Sequence, residues 1–394
     1  MKTLHLLFLP LLLIQLIACE SNTDKNTDKF PISKYELVKA DSIMVDYMEN
    51  INILDFDTER NIILGYNSRS GDFIEFDLDG KILNVVNLVG EGPNDYGRNS
   101  YQVNYLGGGR AGVAAIGRYF IYNEDWKVES KVDFDYKAII SVMGGGGYIA
   151  FGNPQLKDGS NPYVSIPGAH FLVTNKEDIK NPHLFHLNTI TGEGNYYHQF
   201  PDSSIFVESN EFYPQAMETV TSYNHEMQVL DVVHHGEAIL YRYDISGAIP
   251  KMITSFRFDY DNPKGLKGIS FDTQGVSLMN AGGLISEFNQ KITGLYSFED
   301  KQLIIYKERN PLSDVISPNE ENPEKLREFY DAPTKSWAYL IKDGKRISEN
   351  MPIGSPRIAL QLGKGRFLST RYVDPDVERD TQLYYIYELR EVGN

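Results

Sequence analysis

The chain has 394 residues, ample for a large core, and a formal charge of −16. So acidic a body argues against nucleic acid, whose binding rests on Lys and Arg at phosphates, and against electrostatic docking on anionic lipid. One cysteine in the whole chain rules out an internal disulfide framework.

The first element in chain order is an export signal. Met1-Lys2-Thr3 carries one positive charge, and Leu4 to Ile17 is apolar apart from His5, Pro10 and Gln15. That run is too short and too poorly flanked to persist as a transmembrane helix. Leu16-Ile17-Ala18-Cys19 follows and resembles the lipobox cut by the lipoprotein signal peptidase. Residues 1–18 are therefore expected to be a signal peptide, and Cys19 the site of lipidation. A diacyl or triacyl Cys holds a membrane stably, since each buried CH₂ adds about 0.8 kcal/mol, where one myristoyl chain would not. Residues 19–34 open with the polar, aperiodic run Glu20 to Lys29 and are expected to form a flexible tether. Its acidity loosely resembles the surface-export signals of Bacteroidetes lipoproteins. The expected location is the cell envelope, lipid-anchored at the outer membrane, with the periplasmic and surface faces both open.

From residue 35 to 394 the pattern is β throughout. Runs such as Asn61-Ile62-Ile63-Leu64-Gly65-Tyr66, Phe73 to Leu78 and Leu383 to Leu389 alternate with Gly, Asn and Asp turns. The 26 Tyr and 20 Phe fit strand packing. The one good helix pattern is Asn322 to Tyr330, with Pro323 at its start and Glu324 in its first turn. A strand–turn–strand unit recurs, with turn glycines at Gly80, Gly192, Gly247 and Gly344, at one to two multiples of roughly 50 residues. That period predicts an all-β propeller. Six blades fit best, near 46–88, 101–136, 138–200, 215–258, 282–353 and 357–390, with seven as the alternative. The last blade has about three strands, so Tyr35 to Val45 is expected to pair with Leu383–Leu389, joining the N- and C-terminal strands and closing the ring.

The connections divide by position. First-to-second and third-to-fourth strand turns are tight: Asp57–Arg60, Asp79-Gly80, Gly107–Arg110, Gly144–Gly147, Ser246-Gly247, Asp343-Gly344 and Gly363–Gly365. The long stretches, 152–169, 201–214, 259–281, 308–335 and 372–381, fall at the other connections. Within an antiparallel blade these emerge on the opposite face, which predicts one loop-rich face carrying the function.

Leu88-Val89-Gly90-Glu91-Gly92-Pro93-Asn94-Asp95-Tyr96-Gly97 resembles the blade-joining Gly-x-Gly-Pro-x-x-aromatic segment of six-bladed, TolB-like propeller lipoproteins of Bacteroidetes. With the lipobox, the size and the Phe76–Lys81 hairpin, the chain most resembles the uncharacterised DUF4221-type lipoproteins. The resemblance implies fold and location and no activity. Glu91, Asn94, Asp95, Tyr96 and Arg98 of this segment, with His234, His235 and Arg371, are the candidate ligand-binding residues.

Motifs for chemistry are sparse. Gly107-Gly108-Gly109-Arg110-Ala111-Gly112 matches G-x-G-x-x-G but sits between strand runs with no helix after it, so a glycine-rich hairpin is expected. His225-Glu226 lacks the second His of a zinc-helix motif. His234 and His235 are adjacent, and neighbours on a strand point to opposite faces, so one ion does not readily take both. Asp374, Asp376, Glu378 and Asp380 alternate as Ca²⁺ ligands can, without an EF-hand pattern. No cofactor is predicted, with Ca²⁺ or another divalent ion as the alternative. The expected function is a lipid-anchored extracytoplasmic binding or interaction protein, more readily a binder than an enzyme. Its partner would be a glycan, a peptide or an envelope protein. The alternative is an extracytoplasmic glycan hydrolase or lyase with paired carboxylates at the central channel.

Overall fold

Strands rich in Val, Ile, Phe and Tyr need a partner at each edge and a cover on each face, and stacked antiparallel sheets meet both needs. The computed structural model describes residues 31–97, 100–115, 117–134, 163–167, 176–213, 216–224, 226–258, 265–272, 288–317, 320–353, 357–370 and 380–393. Within residues 32–394, six sheets form a six-bladed β-propeller.

The chain enters through β1 (Tyr35–Val45), which belongs to the last blade. The first blade is β2 (Asn52–Asp57), β3 (Ile62–Tyr66), β4 (Asp72–Asp77) and β5 (Ile82–Asn87). The second is β6 (Ser100–Gly107), β7 (Arg110–Ala115), β8 (Arg118–Tyr122) and β9 (Val128–Asp133). The third has three described strands, β10 (Tyr163–Pro167), β11 (Leu184–Asn188) and β12 (Gly194–Tyr197). After the short β13 (Glu211–Phe212), the fourth blade is β14 (Thr219–Asn224), β15 (Val229–His234), β16 (Glu237–Asp244) and β17 (Lys251–Arg257). After β18 (Ile269–Ser270), the fifth blade runs β19 (Lys291–Phe298), β20 (Lys301–Lys307) and β21 (Ser336–Lys342). Its outer position is shared by β22 (Lys345–Arg346) and β23 (Met351–Ile353). The sixth blade is β24 (Arg357–Gly363), β25 (Arg366–Thr370), β26 (Gln382–Glu391) and β1.

Burial follows position in the blade. The middle strands are buried on both faces, as at Ile63, Leu64, Phe73 and Phe76, because each blade is covered on both sides by its neighbours. Outer strands such as β17 are exposed along most of their length. Apolar cores lie between blades. Phe76, Tyr384 and Ile386 join the sixth blade to the first, Phe73 and Trp126 stack between first and second, and Tyr339 and Leu240 share the fourth–fifth core. Each such side chain contributes about 1.5–3 kcal/mol on burial. The ring closes where β1 pairs antiparallel with β26, from Tyr35 opposite Glu391 to Val45 opposite Gln382. That pairing removes the open edges that a chain starting and ending at different strands would leave.

Three of the four turn glycines share one role. Gly80, Gly192 and Gly344 have φ of +84°, +78° and +74°, in the left-handed region where glycine carries no steric penalty. A Cβ on them would lie 2.0 Å from Met44 O, 2.2 Å from Asp133 O and 2.8 Å from the Phe256 ring, on β1, β9 and β17. In each case the outer hairpin of one blade abuts the outer strand of the blade before it. The match identifies β11–β12 as the outer hairpin of the third blade. Gly247 has neither the positive φ nor a close neighbour.

The two faces differ as the connections predict. The turn face carries tight turns that touch from blade to blade: Asn224 Nδ2 donates to Glu299 O at 2.7 Å, and the Lys364 ammonium pairs with Glu226 at 2.7 Å. Leu389 N bonds Gly365 O and Val392 N bonds Lys34 O, each at 2.8 Å, so the chain enters the propeller at this face. The G-x-G-x-x-G segment is the β6–β7 hairpin, with Gly107, Gly108 and Gly109 all at positive φ.

Candidate functional site

The loop face carries a folded layer over the third to fifth blades. Ile179, Phe200, Phe206, Tyr213, Ala216 and Met217 form a core of their own, with Phe212, Leu266 and Phe271 packed on it. A short helix, Ile205–Glu208, and the β13–β18 pair belong to this part. A second core, Phe288, Ile316 and Phe329 with Leu312, belongs to the 308–335 connection. There the helix Pro323–Asp331 is capped by Asn322, whose Oδ1 accepts Glu324 N at 2.9 Å. Asn310 Nδ2 donates to Phe329 O at 2.5 Å and ties the helix end to the loop that precedes it. Lys267 links the two parts: its Nζ donates to Ser313 O at 2.5 Å and lies 4.9 Å from the Phe288 ring centre, while its backbone is clasped by the Asn289 amide. Ile205, Val315 and Tyr330 remain exposed on the layer.

Several contacts fasten the layer to the blades. Gly236 N donates to Ala216 O at 2.8 Å and His235 N to Glu218 O at 3.0 Å. The buried Glu237 carboxylate accepts Ser204 Oγ at 3.0 Å and Ile205 N at 3.2 Å, and burial raises its pKa.

A chain of histidines runs beneath. His234 Nδ1 lies 2.8 Å from Met217 O, His234 Nε2 lies 2.7 Å from His198 Nε2, and His198 Nδ1 lies 2.8 Å from the Tyr243 hydroxyl. A carbonyl only accepts, so His234 carries its proton on Nδ1 and its Nε2 is bare. His198 Nε2 must then donate to it, which leaves His198 Nδ1 bare to accept the tyrosine O–H. Every position in the relay is thereby assigned, and both rings are neutral. Burial pulls His198 down to about 3, with His183 adding to the effect. Burial, then His198 and His183, holds His234 well below its ordinary value. Phe200 packs on His234 at 4.4 Å between ring centres, so the relay meets the core of the loop layer directly.

A second relay of the same order lies nearer the turn face. Tyr197 O–H donates to Ser165 Oγ at 2.9 Å, Ser165 lies 3.2 Å from His186 Nδ1, and His186 Nε2 donates to Gly247 O at 2.8 Å. Ser165 and His186 have the spacing of a nucleophile and its base. The serine is only 2% exposed, and its oxygen already accepts the Tyr197 hydroxyl. The pair therefore joins the third blade to the fourth. Tyr197 and Tyr243 meet edge-on at 5.3 Å and connect the two relays.

Carboxylates within the blades are likewise engaged. Glu75 accepts Tyr105 O–H at 2.7 Å and Trp126 Nε1–H at 3.0 Å, fastening the first blade to the second. Asp55 Oδ2 accepts Tyr105 N at 2.7 Å. Asp231 accepts Arg242 Nε at 2.7 Å, Arg242 Nη2 at 2.9 Å and Ser297 Oγ at 2.8 Å, fastening the fourth blade to the fifth. Among the described residues, no three His, Cys, Asp or Glu side chains are placed to hold a metal ion, and no helix is long and apolar enough to cross a membrane.

The structure distributes the sequence-predicted residues between two places. On the first-to-second crossover, Glu91 is exposed, and Asn94 Oδ1 accepts Val128 N at 3.2 Å. Asp95 Oδ2 accepts Gly92 N at 2.7 Å, and a Cβ on Gly90 would lie 2.3 Å from that oxygen, so the glycines leave room for the carboxylate. Tyr96 is buried in the core between the two blades. This segment is a stitched connection, with Glu91 as its free polar end. His234 lies under the loop layer and reaches the surface only through what it holds. His235, 20% exposed at its side chain, faces Glu218 with Nδ1 3.8 Å from the carboxylate, on the side away from His234. Cys19, Arg98, Arg371, His225, Asp374, Asp376 and Glu378 lie outside the described residues. The relay members His198 and Tyr243, and His183 packed beside them, were not singled out by the sequence. Their one local signal is that His183 and His198 flank the β11–β12 hairpin.

No protein-family profile and no curated protein matches this chain. Among solved structures, a DUF4221 family member from Bacteroides vulgatus is similar with a TM-score of 0.61 and 14% identity, covering 91% of this chain and 99% of that one. A Bacteroides fragilis protein described as exported is similar with a TM-score of 0.51 and 12% identity, covering 92% of this chain and 96% of that one. This chain shares their fold.

Proposed function

We propose that this protein is a lipid-anchored binding protein of the cell envelope that meets its partner through the loop layer over the third to fifth blades. The observation that carries the reading is that layer itself. The connections on one face are long enough to hold two apolar cores and a capped helix, on a scaffold whose opposite face has tight turns. A rigid scaffold presenting ordered loops is how propellers and other superfolds acquire recognition surfaces. The lipobox at Cys19 supports anchoring through the lipid. The partner class is a glycan, a peptide or an envelope protein. A hydrolase or lyase at the channel draws less support, because Asp55, Glu75 and Asp231 are each held by bonds that join strands or blades.

Photo-crosslinking in the native envelope tests this. A crosslinker at Ile205, Val315 or Tyr330 is expected to capture one discrete partner, and one at Glu59 or Asp79 on the turn face none. Equal capture from both faces would reject the loop layer as the binding surface. In parallel, Cys19→Ser is expected to abolish lipid labelling and release the protein from the membrane fraction.

A further inference from the structure

We propose that the chain Tyr243–His198–His234–Met217 is an acid-sensitive latch, which holds the loop layer on the third and fourth blades at neutral pH and releases it as the pH falls. The argument is one of available positions. His234 Nδ1 is spent on Met217 O, and its Nε2 faces His198 Nε2 at 2.7 Å with one proton between them. His198 Nδ1 is spent on the Tyr243 hydroxyl. A further proton on His234 Nε2 sets N–H against N–H, while one on His198 Nδ1 makes the Tyr243 hydroxyl an acceptor, turns its O–H out of the relay and leaves a charge among buried rings, so protons are taken up more readily when the relay opens. The bonds at risk are those between the layer and the blades. Met217 belongs to the core of the layer, His198 follows β12 of the third blade, and His234 and Tyr243 lie on β15 and β16 of the fourth.

Among the described residues that face the two rings, no acid compensates a charge on them. His183 contributes a third imidazole, with ring centres 5.7 Å from His234 and 6.2 Å from His198. Tyr241 packs against both rings, and Phe200 and Phe206 cover His234. His235 on the adjoining turn opposes a charge on His234. The nearest acid on these strands, Glu237, is engaged by Ser204 and Ile205, and Arg257 and Glu208 act on that carboxylate with opposite signs.

The direction follows from the depressed pKa values of both rings. The latch is fully formed above the ordinary histidine value of about 6.5 and is lost as the pH falls below it, because the opened form takes up protons that the closed form refuses. Between pH 7 and pH 5 each histidine that is freed raises the opening equilibrium about 25-fold. What release does to partner binding rests on the loop layer being the binding face. The latch is read on the protein alone, so either can fail without the other.

Hydrogen exchange of the full-length protein, corrected for the intrinsic pH dependence of exchange, gives the test. Protection of residues 200–213, 216 and 217 is expected to fall between pH 7 and 5, while β3 and β7 keep theirs. The logarithm of opening against pH should lose one unit of slope in His234→Gln and again in His198→Gln. A pH-independent layer, or the same slope in the variants as in the parent, would overturn the proposal. Should the variants not fold, ¹⁵N spectra of the parent decide it. The expected tautomers at pH 7, where the latch is closed, are Nδ1–H on His234 and Nε2–H on His198, both rings neutral, and any other pair refutes the latch.

Discussion

Asp231 and Arg242 give the sharpest test of how the blades are joined. Asp231 is 0% exposed and accepts both prongs of the Arg242 guanidinium together with the Ser297 hydroxyl from the next blade. The Arg242 side chain is 10% exposed, so it cannot turn to water if its partner is removed. Asp231→Leu therefore leaves a largely buried cation without its hydrogen-bonded partner, with only the Asp343 carboxylate still acting on it, at a cost of about 3 kcal/mol. Arg242→Met leaves the carboxylate with Ser297 alone and costs a similar amount. With both replaced no charge remains. The gap is filled by apolar atoms, and the main residual loss is the Ser297 hydroxyl bond, about 1 kcal/mol. Urea unfolding of the four proteins gives the cycle. The double variant should lie within about 2 kcal/mol of the parent, with a coupling of at least about 3 kcal/mol. Additive losses would refute the claim that the pair acts as one desolvated unit, and a harmless Asp231→Leu would refute the burial argument altogether.

Gly80→Ala and Gly108→Ala separate turn strain from blade contact. Both residues have positive φ, but only Gly80 faces a neighbour, Met44 O at 2.0 Å from the added Cβ. Gly108→Ala should cost about 1 kcal/mol, the left-handed penalty partly offset by a stiffer unfolded chain, and Gly80→Ala about 3 kcal/mol or more. Equal shifts in unfolding midpoint would remove the blade-contact account. On the crossover, Asn94→Ala and Asp95→Ala should each lower stability by about 1 kcal/mol through the lost backbone bonds, and Glu91→Ala by no measurable amount. If Glu91→Ala destabilises as much as the other two, the stitched-connection account fails.

What the sequence revealed and what it concealed divide by the distance over which a residue's role is set. The hairpins were legible because their causes are local. A run such as Phe73-Ile74-Glu75-Phe76-Asp77-Leu78 followed by Asp79-Gly80-Lys81 states strand, turn and direction within ten residues, and β1 was placed at Tyr35–Val45 because the last blade lacked a strand. Glycine at a hairpin tip is legible for a further reason where the turn itself demands a positive φ, as at Gly80, Gly192 and Gly344 but not at Gly247. That the same glycine also admits the outer strand of the preceding blade, as Gly80 does with Met44, needs the ring to be closed and is invisible before then.

The site falls on the other side of that division. His234 could be noticed as one of a pair, but its partner depends on the register of β15 against the end of β12. Those strands are joined through a long connection and packed by apolar contacts that carry no polar signature. The pairing of His198 with His234 spans 36 residues and that of Asp231 with Ser297 spans 66. Neither has a spacing rule, because the intervening loops vary freely in length. Polar residues that look like a site in sequence, such as Asn94 and Asp95, accept backbone N–H groups of β9 and of their own crossover. The polar residues that bear on a regulated surface are those whose hydrogen bonds cross from one blade to the next, where low dielectric makes a lost partner costly. In a propeller the blade interfaces, more than the blades, are therefore where an added charge has the most effect. The two tyrosine–histidine relays place three histidines at a single interface, between the third and fourth blades, and two of them, His198 and His234, lie directly under the loops proposed to bind.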